Sequence, residues 1–120
     1  MAGTTCAVCQ IHRLTAEGRG LLEGLSMACD LTNTIPLGLG GTIPLALQTF
    51  VQADQAASRF TPANPDEASQ VLIVRSSLRN LISYMQSVRQ MDCRDVIRAY
   101  QMSQVAWVAA YQLAWQVYAR

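Results

Sequence analysis

Residues 66–120, DEASQVLIVRSSLRNLISYMQSVRQMDCRDVIRAYQMSQVAWVAAYQLAWQVYAR, run for 55 residues, nearly half of the chain, without one glycine or proline. Both residues disfavour helix interiors, proline strongly, so this span is open to helix throughout. It is entered through Asn64-Pro65-Asp66-Glu67. Asn64 suits the N-cap, Pro65 has its φ preset for the first helical position, and the two acids suit the positive end of the helix dipole. From there Val71, Val74, Leu78, Leu81, Met85 and Val88 step by three and four residues, a seam that faces a partner helix. The segment therefore predicts an all-α protein whose helices pack on other helices.

A second entry signal lies inside the span. Asp92 can cap a fresh helix, with Asp95 three residues on completing a capping-box pattern. An unbroken helix of this length would reach about 80 Å, far beyond a small domain, whereas a break folds the span into a hairpin. We read the break, with a single rod as the alternative. The second half carries its own stripe: Cys93, Ile97, Tyr100, Gln104, Trp107, Tyr111, Ala114 and Tyr118, with Trp115 beside it. The first seam meanwhile continues along Ala99, Met102, Ala106, Ala110, Leu113 and Val117. A helix apolar on two faces lies in the middle of a bundle or between partners.

Upstream, residues 61–64 form a turn. Pro62-Ala63-Asn64-Pro65 ahead of a long helix resembles the Pro-x-Asn-Pro turn of type III secretion needle subunits; the resemblance covers four residues and implies only the turn itself. Residues 31–53 hold no charge. Within them Thr34-Ile35-Pro36-Leu37-Gly38-Leu39 is repeated as Thr42-Ile43-Pro44-Leu45-Ala46-Leu47. The first copy, with Gly38, Gly40 and Gly41, reads as an apolar loop over 31–43. The second opens a helix, with Thr42 as cap and Pro44 in the first turn, reaching about Phe60 and burying Leu47, Phe50, Val51, Ala57 and Phe60. So apolar a loop implies that something covers it. A further helix is expected from Thr15 to about Asp30, with Leu21, Leu22, Leu25, Ala28 and Cys29 on its apolar side. Gly18, Gly20 and Gly24 weaken it or let another backbone approach closely.

Residues 1–14 carry Cys6, Cys9 and the single histidine, His12; with Cys29 they could supply four ligands to a tetrahedral zinc ion. Structural zinc sites pair two short ligand clusters, and here Cys29 and Cys93 stand alone, so buried thiols are the plainer reading and no cofactor is expected. Met1-Ala2-Gly3-Thr4-Thr5 lacks a basic region followed by an apolar core, which makes cytoplasmic synthesis, reduced thiols and no disulfide framework the default expectation.

Composition sets the remaining bounds. At 120 residues the chain is one domain's worth, and charged residues make up only 14% of it. That is well short of the roughly 25% in ordinary globular domains, so the surface is under-supplied with charge and burial against other chains is expected. All nine cations are arginine, yet net charge is only +1, giving no general attraction to nucleic acid. Arg75, Arg79 and Arg89 share a polar helix side with Asn80, Gln86 and Gln90, which suits a solvated face better than a phosphate-binding strip. Residues 99–119 are uncharged and long enough to span a bilayer, but Gln101, Gln104, Gln112 and Gln116 oppose insertion. A membrane role ranks third. No Glu-x-x-His pair or nucleophile elbow points to catalysis.

The sequence thus predicts a non-catalytic, all-α assembly protein of about four helices. It is expected to self-associate through the 71–88 seam and through Tyr100, Trp107, Tyr111, Trp115 and Tyr118, as in a virion, secretion or filament component. The alternative is a small adaptor, zinc-stabilised at its amino end, that binds another protein.

Overall fold

The computed structural model describes residues 2–120, with side chains from residue 7 onward. Among the described residues there are four α-helices and no strand: α1 (Ala2–Thr32), α2 (Thr42–Ser58), α3 (Pro65–Ser87) and α4 (Cys93–Ala119). Each helix packs on its neighbours in the order α1, α2, α3, α4 and back to α1, giving a four-helix bundle of 46 × 24 × 19 Å.

The hairpin at Asp92 forms by local chemistry. Asp92 Oδ1 accepts the Asp95 N–H at 3.0 Å, and Asp95 Oδ2 accepts the Asp92 N–H at 3.0 Å, so two otherwise unpaired donors are satisfied reciprocally. α3 starts as its sequence predicts: Pro65 follows the N-cap Asn64, whose Oδ1 accepts the Glu67 N–H at 2.9 Å. The turn sends α4 back along α3, and the seam closes on the chain itself. Val74, Leu78 and Leu81 are completely buried, in one core with Ala99, Ala106, Ala110 and Leu113 of α4.

Three expectations upstream are corrected. α1 does not begin at Thr15; it runs through that residue, whose hydroxyl donates to the Ile11 carbonyl one turn back at 2.7 Å. Of the glycines read as weakening the helix or admitting a close neighbour, Gly18 does the second. Gly18 sits where a Cβ would lie 2.4 Å from the Phe50 ring, so its missing side chain is what lets α2 lie against α1. α1 ends at Asn33, which adopts the left-handed conformation at φ 57° and donates its N–H to the Cys29 carbonyl at 2.7 Å. The second repeat copy does open α2, but Gly41 occupies the cap position and no side chain caps the helix, so Thr42 is its first residue. α2 ends at Ser58 rather than Phe60 and buries Ala46, Thr49, Phe50, Ala53, Ala56 and Ala57, leaving Leu47, Val51 and Phe60 half-buried.

The last correction is covalent. Cys29, near the end of α1, and Cys93, the first residue of α4, form a disulfide with their Cα atoms 5.6 Å apart. The expectation of reduced thiols fails for this pair, because residues 64 apart in sequence meet only once the bundle closes.

Glu67 locks the opposite end of the bundle. Its side chain is 1% exposed, accepts the Ala63 N–H at 2.9 Å, and takes the Arg120 guanidinium at 2.6 Å. The Ala63 N–H holds this carboxyl below its ordinary 4.5, burial opposes that, and the Arg120 hydrogen bond and charge reinforce it. The unfolded chain therefore binds this proton more readily than the folded one. Glu67 contributes stability that is fully present above the unfolded value and lost as pH falls through the folded one. Urea midpoints measured downward from pH 6 should fall below about pH 4.5, and Glu67→Gln should flatten that part of the curve. A slope unchanged by Glu67→Gln would remove Glu67 from the acid response.

Candidate functional site

The residues singled out as an interface divide between core and surface. Val71, Val74, Leu78, Leu81 and Met85 are buried within one chain, and Val88 is half-buried at the end of α3. As a surface for self-association the 71–88 seam is therefore corrected: the α4 half of the hairpin covers it.

The aromatic stripe lines a groove between α1 and α4, because α4 turns its Cys93–Tyr100–Trp107–Tyr118 side toward α1. Starting at the disulfide, Tyr100 Oη donates to Glu23 Oε2 at 2.9 Å. The Arg19 guanidinium lies 5.8 Å from the Tyr100 ring centre and 5.0 Å from that of Trp107. His12 comes next, with its ring centre 6.2 Å from Trp107 and 5.9 Å from Tyr111. At the far end Cys9 Sγ and Tyr118 Oη share a hydrogen bond of 2.6 Å. Tyr100 and Trp107 are half-buried by these contacts, whereas Tyr111, Trp115 and Tyr118 remain at least half exposed. The groove opens there into a cleft of about 290 Å³ lined by Cys9, His12, Tyr111, Ala114, Trp115 and Tyr118.

Of the zinc set, Cys9 and His12 come together in this cleft and Cys29 is held by Cys93 as a disulfide, which gives no thiolate. The side chain of Cys6 lies outside the described residues. Among the described residues no three His, Cys, Asp or Glu side chains gather as metal ligands.

Charged groups fall into structural pairs. Asp54 on α2 takes Arg75 Nε at 3.1 Å and Arg79 Nε at 3.6 Å, so two of the three arginines on the supposed phosphate strip already face a carboxylate. Asp92, its carboxyl lowered chiefly by the Asp95 N–H, belongs to the cap. Tyr84 donates to Asp95 Oδ1 at 3.0 Å, and burial followed by that bond pushes its phenol up, keeping it protonated. Tyr84 and Asp95 line a surface cavity with Arg94, Ile97, Arg98 and Gln101.

One feature of α4 was not singled out from the sequence. Gln101, Val105, Val108, Gln112 and Trp115 are all exposed and step by four and three residues along the outer side of the helix. Val105 is 61% exposed, Val108 46% and Trp115 68%. The spacing is that of a helix-packing seam, but this seam meets solvent. Its signal was legible as a third periodic row within the uncharged 99–119 run. A second exposed apolar patch lies at the α1–α2 connection, where Leu31, Leu37 and Met27 are 85%, 102% and 60% exposed. Among the described residues these three side chains are left mostly exposed.

No described helix is long and apolar enough to cross a membrane. No protein-family model matches the chain, and no curated protein or solved structure is significantly similar to it.

Proposed function

We propose that this chain is a non-catalytic building block that associates with copies of itself through the outer row of α4. The observation that carries the reading is the exposed row Gln101–Val105–Val108–Gln112–Trp115, periodic like a packing seam and without a charge from Ala99 to Ala119. Solvated helix faces carry charges, and a row of valine and tryptophan flanked by amides is the composition of an interface core, where an aromatic anchors and amides hydrogen-bond. The aromatic groove contributes at its open end, through Tyr111 and Tyr118. A virion, a secretion apparatus or a filament is the kind of assembly such a block serves. The exposed leucines of the α1–α2 connection supply a second contact for propagating it.

Absolute mass by light scattering at micromolar concentration, without detergent, tests the reading. A discrete oligomer or a polymer is expected. Val105→Asp with Val108→Asp should return it to a monomer of unchanged helicity, since the two residues are 61% and 46% exposed and their loss costs the fold little. A wild-type monomer would sink self-association and turn attention to a helix of another protein as the partner of the same row.

A further inference from the structure

We infer that the outer row of α4 pairs with the same row of a second copy, antiparallel and in a single register that sets Val105 on Val108, Gln101 on Gln112 and Arg98 on Trp115. This deepens the self-association reading and rests on it. Arg98 is exposed one turn before Gln101, so the full row is Arg98, Gln101, Val105, Val108, Gln112 and Trp115. Its steps are 3-4-3-4-3, the same from either end. Its chemistry mirrors as well: valine falls on valine, glutamine on glutamine, and the one cation on the one indole.

That mirroring points to a second copy as the occupant. In a two-fold contact residue i meets j while j meets i, so the surface must suit itself reversed. A contact with a different protein makes no such demand on the row. Charge selects the direction. Parallel alignment in register would set Arg98 against Arg98, and like charges facing each other repel. Antiparallel alignment instead delivers each Arg98 guanidinium to a Trp115 indole, which is 68% exposed and is the best ring for a cation. Within its own chain that guanidinium already lies 5.4 Å from the Tyr84 ring centre, so an aromatic setting is one it occupies. The amides also match. Gln112 Oε1 accepts Gln70 Nε2 at 3.3 Å, which leaves the Gln112 amide N–H groups to donate to Gln101 Oε1 of the other copy, twice per pair.

From Arg98 to Trp115 the contact runs about 26 Å. One helix per copy over that length makes a small interface, below about 1,200 Å² in total, so the pair is reversible, with a dissociation constant on the order of micromolar. A two-fold face is used up by one pairing, and growth past two copies must therefore use another surface.

Disulfide trapping reads the register in the full chain carrying Cys6→Ala and Cys9→Ala, with the Cys29–Cys93 bond retained. Sedimentation equilibrium at micromolar concentration first establishes that this background associates as the wild type does. Chains with Gln101→Cys are then mixed with chains with Gln112→Cys and mildly oxidised; both positions are exposed, so the substitutions leave the fold alone. The mixed 101–112 crosslink should form well above the crosslink of either chain alone, because antiparallel copies hold their two 101 positions about 16 Å apart. Arg98→Ala and Trp115→Ala should each raise the dissociation constant about five- to thirty-fold, since two cation–π contacts are lost per pair. An efficient 101–101 crosslink, or an associating chain in which 101 and 112 are never trapped together, would overturn the register and leave self-association standing. A protein that sediments as a monomer removes self-association itself, and this pairing with it.

Discussion

Replacing Cys29 and Cys93 together by alanine should cost the fold about 4 kcal/mol, the chain-entropy value for a tie across 64 residues. The bond joins the end of α1 to the start of α4, the two helices whose pairing closes the bundle and whose contact is the least local in sequence. Without it the unfolded chain regains the freedom the loop denied it, and α1–α4 packing must be reached against the full closure entropy. Alanine is the better replacement, because Cys29 is 4% exposed and a serine hydroxyl there would be buried without an assured partner. Urea unfolding of the wild type with and without dithiothreitol gives an independent arm, since reduction leaves both residues in place. Agreement between the reduced wild type and the double variant assigns the loss to the covalent tie. A loss below about 1 kcal/mol in both would mean that the unfolded chain already holds these helices together. The same bond bears on compartment: disulfides persist in oxidising surroundings, and in a reducing cytosol the bundle would stand on packing alone.

The second large effect is at the crossing of α1 and α2. Phe50 is completely buried, and its ring covers Gly18 so closely that an added Cβ would lie 2.4 Å from it. Phe50→Ala should therefore cost about 3–5 kcal/mol, the range for deleting a buried phenylalanine. Gly18→Ala should also destabilise, by about 1–3 kcal/mol, because a packed ring has nowhere to go. This is opposite to what helix propensity predicts, since alanine is the better helix former by up to about 1 kcal/mol. Gly20 and Gly24 provide the contrast: a Cβ at either meets nothing within 4 Å, so Gly20→Ala and Gly24→Ala should each stabilise by a few tenths to about 1 kcal/mol. Thermal or urea unfolding of the three glycine variants reads the sign directly. Stabilisation by Gly18→Ala would mean that α1 and α2 are not held at this distance.

What could be read from residues 66–120 was what is decided within one or two turns of chain. Asn64 and Pro65 start α3, and Asp92 with Asp95 starts α4, because a cap needs only a side chain and the N–H groups three residues on. The 3–4 spacing from Val71 to Met85 likewise marked a buried face correctly. It could not say what buries that face, since a seam carries no record of whether its partner is its own hairpin or another chain. The turn at Asp92 decides that, and the exposed row through Val105 and Val108 takes over as the candidate contact.

Upstream the balance shifts. Glycines at 18, 20 and 24 predicted a weak helix because local propensity counts them equally. In the bundle one of the three admits Phe50 and the other two face open space, while the buried residues Ile11, Leu14, Leu22 and Leu25 carry α1 straight through. Four cysteines and one histidine in sequence fit either thiols or a metal site. Only the closing of α4 against α1 placed Cys93 on Cys29 and gathered Cys9 and His12 with the rings of α4. By itself, then, the sequence determined the helical class, the two capped starts and which face of α3 is buried, because each depends on short-range hydrogen bonds and periodicity. The disulfide, the α1–α2 approach, the aromatic cleft and the outward row of α4 were decided by tertiary structure, because each joins residues that the chain brings together only when the bundle closes.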